Sequence, residues 1–167
     1  MAKVITFSTT FPAYHPKKGQ RTFFELNFEY ALKYPLGTHS PMLYPGTENQ
    51  HLLKFHTIRA GNRFKKGEYF SPRVWTGKPY NSKQRIIAPD TKIEKIWDID
   101  IYFEPNNWLY AGKKADYGNV KYDIEKLAKN DGLEYQDFVD WFIFSPDFKK
   151  TNRFSGQIIC WNNNINY

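Results

Sequence analysis

Cysteine is almost missing from this chain: there is one, Cys160, among 167 residues. No intrachain disulfide can form, and no four-thiolate zinc site can be built. The zinc deaminases, which need a His/Cys cluster, are excluded on the same count. Cys160 lies in the apolar run GQIICW and reads as a small buried hydrophobe in a reducing compartment. Long hydrophobic runs are missing as well. None nears the roughly 20 apolar residues of a membrane span. The opening MAKVITFSTTF has no extended apolar core and no small-residue cleavage site, so it reads as no signal peptide. The expectation is a soluble, cytoplasmic protein. There is no Gly-rich phosphate loop and no Gly-x-Ser-x-Gly elbow. His15, His39, His51 and His56 lack the i, i+4 spacing of a helical metal pair. No metal and no cofactor is expected.

Positive charge and aromatic rings are abundant. Lysine and arginine number 24 against 17 aspartates and glutamates, a formal net charge of +7. Such a balance suits polyanionic partners such as nucleic acid or nucleotides. Aromatics make up 19% of the chain, which argues against disorder and supplies a core. The length fits one domain, residues 1–167.

Hydrophobic periodicity divides the chain into short elements. KVITFST (3–9) alternates and reads as a strand. Thr22 with Glu25 forms the pattern of a capping box, ahead of a helix whose face is Phe24, Phe28, Ala31 and Leu32. Residues 34–53, rich in Pro and Gly, read as a long added loop. A strand is predicted over Tyr69–Trp75, then a second added loop near 76–91, then a clear strand over Lys92–Phe103. EPNNW and AGKKADYGN read as loop. A helix is predicted from Val120 to Asn130, ended by Gly132, then a second from Tyr135 to about Pro146, then a closing strand at GQIICW. Strands in runs, without regular β-α alternation, predict an α+β fold that is mostly antiparallel, or a small barrel.

Two segments carry a resemblance: LLKFHTIRAGNRFKKGEYF and LAKNDGLEYQDFVDWF. The first is similar to the signature of the ASCH family: a lysine, Thr-Ile-Arg, a basic turn, then Lys-x-Gly-acidic entering a strand. The second is similar to that family's later helical segment, and the opening VITF is similar to its first strand. The resemblance implies a PUA-like fold, a small mostly antiparallel β-barrel with flanking helices. It implies either RNA binding or, as in small bacterial members, an amidohydrolase that deacetylates N4-acetylcytidine. Carried over, the catalytic lysine falls on Lys54, the threonine on Thr57 and the family's glutamate on Asp131, one methylene shorter. Glu134 is the alternative if the alignment slips.

Amide hydrolysis by threonine needs a base for its proton, and lysine serves only with a lowered pKa. Residues three apart on a strand face opposite ways, so Lys54 and Thr57 meet only across a turn or bulge. Arg59 suits phosphate or a base edge, with a surface ion pair to Glu68 or Asp98 as the plain alternative. Arg63, Lys65 and Lys66 form a basic turn able to contact phosphate. Tyr80 and Trp108 are the stacking candidates, while Trp97 and Trp141 fall on apolar faces and read as core. Two functions are therefore carried forward. One is hydrolysis of an N-acylated pyrimidine nucleoside or nucleotide. The other is non-catalytic binding of RNA or a modified nucleotide.

Overall fold

The computed structural model describes residues 2–34, 52–105, 109–115 and 118–167. In chain order the elements are β1 (Lys3–Phe7), α1 (Phe24–Lys33), β2 (His56–Ala60), β3 (Tyr69–Trp75), β4 (Gln84–Ile86) and β5 (Thr91–Lys92). Then follow β6 (Lys95–Phe103), β7 (Leu109–Ala115), β8 (Gly118–Lys121), α2 (Ile124–Asn130), α3 (Tyr135–Ile143), α4 (Pro146–Thr151) and β9 (Arg153–Cys160). The class is α+β. Among the described residues the strand pairs are antiparallel except β1 with β3, which run parallel with Ile5 opposite Pro72.

The described strands form two sheets, not one closed barrel. One is ordered β1-β3-β4, with β5 also on β3; the other is β2-β9-β6-β7-β8. The run expected as a single strand over Lys92–Phe103 passes from one sheet to the other. Ile93 N donates to Glu68 O beside β3, Glu94 N donates to Cys160 O, and β6 then pairs along β9. A strand that changes sheets this way makes a corner. Arg59 Nη2 donates to Thr6 O at 2.7 Å and Arg63 Nη2 to Val4 O at 3.0 Å. These guanidinium groups take up carbonyls on the free side of β1, where a barrel would need another strand.

Aromatics build the core between the sheets. Trp161 wedges among Phe7, Phe28 and Phe70, with ring centroids 6.1, 4.8 and 5.6 Å away. Phe28, Phe70, Phe138, Ile99, Ile101, Ile158 and Ile159 are buried with it. Trp97 and Trp141 are half-buried and pack against this core.

Several local readings need correction. The Thr22–Glu25 capping box does not form. Thr22 Oγ1 donates to Ser8 O, Glu25 pairs with Arg85, and Phe23 stands at the cap with φ 58. Leu32 is exposed, and Asn27 takes a place on the buried face. The segment read as loop around AGKKA is β7, and Val120 belongs to β8, not to a helix. Ladder hydrogen bonds, β7 on β6 and β8 on β7, decide this, not side-chain alternation. Gly112 shows how close the β7–β8 pairing is, since a Cβ there would sit 2.1 Å from Val120 O. Pro146 starts a helix as well as ending one: it opens α4 behind Ser145, whose hydroxyl accepts from Phe148 N. The expected loop over 34–53 lies almost wholly outside the described residues.

Candidate active site

Lys54 enters the site from a break in backbone pairing. Its N donates to Asn27 O and Phe55 N donates to Asn130 O, whereas from His56 onward the chain pairs with β9. Lys54 itself makes only an isolated bridge to Asp131. The alternation of a regular strand therefore does not run through Lys54, and Lys54 and Thr57 line the same cavity.

Asp131 arrives from the other direction. It caps the C-terminus of α2, and Gly132 follows with φ 75. This left-handed residue ends the helix, and the bridge from Asp131 to Lys54, with Phe55 N bonded to Asn130 O, holds the carboxylate beside the lysine. Lys54 Nζ donates to Asp131 Oδ1 and to the Asp131 carbonyl, each at 2.6 Å. The same ammonium lies 3.9 Å from the centroid of the Phe24 ring. Glu134, the alternative acid, is exposed at the start of α3 and takes no part.

Burial dominates the electrostatics. The Lys54 side chain is 1% exposed. Removal from water pushes its pKa down to about 8; Asp131 resists this, and Arg59 adds to it. Burial also raises the Asp131 carboxyl, against the pull of Lys54 and Arg59. Arg59 is held below the usual arginine value by burial, yet it remains a cation. It pairs with neither Glu68 nor Asp98, which bind Lys3 and Lys113. Its Nε is buried without a hydrogen-bond partner among the described residues.

These groups share a cavity of about 270 Å³. Lys54, Thr57, Arg59 and Asp131 form its chemical wall; Ser8, Thr9 and Thr10 supply hydroxyls, and Phe24 and Trp141 an apolar side. Tyr80 and Trp75 stand at the opening, ring centroids 5.4 Å apart. Tyr80 is 89% exposed and held at φ 65. Its turn is tied by Thr76 N to Lys83 O and by Gly77 N to the Ser82 hydroxyl.

The basic turn does not join them. Arg63 lies in a second, neighbouring cleft with Arg59 and Phe64, and Lys65 and Lys66 face solvent. Trp108 lies outside the described residues. Among the described residues no group of three or more His, Cys, Asp or Glu is placed to hold a metal ion. No helix among them is long and apolar enough to cross a membrane.

Comparison with protein-family models, with curated proteins and with solved structures returned no match. The functional reading therefore rests on the cavity itself. Sequence reasoning missed Thr9, Thr10, Phe24 and Trp141 as lining residues. Their spacing reports strand ends and helix faces, not a shared wall.

Proposed function

We propose that this protein is an ASCH-like amidohydrolase acting on an N-acylated pyrimidine nucleoside or nucleotide. The observation that carries the reading is the gathering of Lys54, Thr57, Asp131 and Arg59 on one cavity, with Lys54 desolvated to a pKa of about 8. Its size, just under the roughly 300–1,000 Å³ of drug-sized sites, suits one ring and its acyl group.

The chemistry follows from these groups. A lysine with a pKa of about 8 is unprotonated in about one molecule in ten at pH 7. In that state its Nζ accepts the Thr57 hydroxyl proton as Oγ attacks the acyl carbon. Arg59 is the nearby fixed cation for the resulting oxyanion. Collapse breaks the C–N bond, and Lys54 returns the proton to the leaving amine. Water then attacks the Thr57 ester, again with Lys54 as base, releasing the carboxylic acid and the free hydroxyl. Asp131 orients Lys54 throughout. Tyr80 and Trp75 offer stacking faces for the base.

The test is incubation with N4-acetylcytidine, following cytidine by its ultraviolet spectrum. Turnover that disappears in Thr57→Val supports the reading. No turnover, together with salt-sensitive RNA binding lost on replacing Arg63, Lys65 and Lys66, would establish the binding module instead.

A further inference from the structure

Behind the Lys54–Asp131 pair lies a second buried polar group that faces away from the cavity. His56 is fully buried on β2. Its Nδ1 lies 2.8 Å from the Tyr167 hydroxyl, and its Nε2 lies 3.9 Å from Asp131 Oδ1. The Tyr167 hydroxyl also accepts a hydrogen bond from Asn130 Nδ2 at 2.8 Å. Asn130 and Asp131 are adjacent, so the tail of the chain is tied to the residue beside the site acid.

The hydrogen count sets the tautomer. An amide nitrogen only donates, so Tyr167 accepts from Asn130. The one phenolic hydrogen is satisfied when it goes to His56 Nδ1, which then acts as the acceptor. The ring proton of neutral His56 therefore sits on Nε2. Among the described residues Nε2 has no hydrogen-bond partner, and it faces Asp131 Oδ1. Burial and the Lys54 charge keep the ring neutral, with the Leu127 backbone opposing them.

We propose that His56 is a positioning residue of this site: its Nε2–H, fixed by Tyr167, supports Asp131 Oδ1 when Lys54 gives up its proton. This rests on the reading of Lys54 as a base. With Lys54 charged, Oδ1 has a strong donor at 2.6 Å. With Lys54 neutral, a buried carboxylate loses its counter-charge, which is costly. A shift of about 1 Å brings the His56 Nε2–H into hydrogen-bond range of the same oxygen. The exchange favours neutral lysine, so His56 lowers the pKa of Lys54. The other titratable and charged groups facing this cluster are Arg59 beside Lys54 and Asp131, and Asp123, Lys126 and Cys160 around Tyr167.

The experiment is NMR on the full chain, needing no substrate. Ring ¹⁵N shifts of wild-type His56 are expected to show the Nε2–H tautomer; the Nδ1–H tautomer or a charged ring overturns the proposal. The Lys54 side chain is then titrated in wild type and in Tyr167→Phe, which keeps the ring against Trp97 and Tyr122. The variant is expected to raise the Lys54 midpoint by about 0.5–1 pH unit. An unmoved midpoint in the folded variant overturns the proposal. If Tyr167→Phe does not fold, His56→Gln, which keeps one N–H donor, is titrated, and a midpoint raised as far as in His56→Leu overturns it. Failure to hydrolyse N4-acetylcytidine would remove the enzyme reading without altering either NMR outcome.

Discussion

Lys54 Nζ and Asp131 Oδ1 stand 2.6 Å apart, joined across 77 positions of sequence and almost wholly buried at the cavity wall. Both partners have lost water, and each is shifted toward its neutral form by that loss. A pair so placed is weak evidence for stability, since its attraction is spent against desolvation. Its retention in the wall of a cavity is what points to chemistry.

Removing one partner leaves a buried charge unanswered. Lys54→Met is expected to cost about 3–5 kcal/mol in chemical denaturation. Lys54→Met combined with Asp131→Asn is expected to regain a large part of that loss. A double variant as unstable as the single one would show that packing of the Lys54 stem, not charge, sets the cost.

Thr57 is buried at 4% exposure and lines the cavity. Thr57→Val keeps the shape and deletes the hydroxyl. Turnover is expected to fall by at least about 100-fold with the melting midpoint little changed, while Thr57→Ser keeps measurable activity. Steady-state kinetics beside a thermal melt checks both halves.

The pH dependence follows from Lys54. The base form is needed, so kcat is expected to rise through a pH of about 8 and level off above it. Stability carries the same signature. The folded-state value of about 8 lies below the ordinary 10.5, so between them the unfolded chain binds more protons. The contribution of Lys54 to unfolding free energy therefore rises across that window, and the paired Met/Asn variant loses the slope.

Gly132 ends α2 directly behind Asp131 and packs against the Lys54 stem. A Cβ there would meet Lys54 Cβ at 3.3 Å, and φ is +75. Gly132→Ala is expected to cost about 1–2 kcal/mol and to lower kcat, because the added atom presses on the lysine stem. Denaturation and kinetics on the same sample test the link.

Tyr80 separates binding from folding. It is exposed and sits in the left-handed region, so Tyr80→Gly relieves strain and is not expected to lower the melting temperature. Loss of the ring removes a stacking face, and KM is expected to rise about tenfold. A KM that does not move would take Tyr80 out of the site.

Much of the framework was legible in sequence because it is local. Alternation marked the opening strand that became β1 (Lys3–Phe7), and the αL preference of glycine marked Gly132 as the end of α2. The same local logic failed at β7 and β8, consecutive hairpin strands whose place is set by backbone ladders with β6 and with each other, not by an alternating side-chain pattern. It failed again at Thr22, where Ser8 O outcompetes the expected cap.

The candidate site divides along the same line. The sequence by itself determined which residue types are present, Lys54 three places before Thr57 and an acid before a late helix. It also determined that the two side chains would diverge on a regular strand. Only the tertiary structure decided that they converge. The pairing break at Lys54 and Phe55, whose amides bond Asn27 O and Asn130 O, and the bridge from Lys54 to Asp131 at the end of α2 bring Lys54, Thr57 and Asp131 to one wall. Long-range backbone hydrogen bonds do this work, and they leave no periodic trace in the chain. The same holds for His56 and Tyr167, 111 residues apart in sequence and hydrogen-bonded at 2.8 Å, hydroxyl oxygen to ring nitrogen.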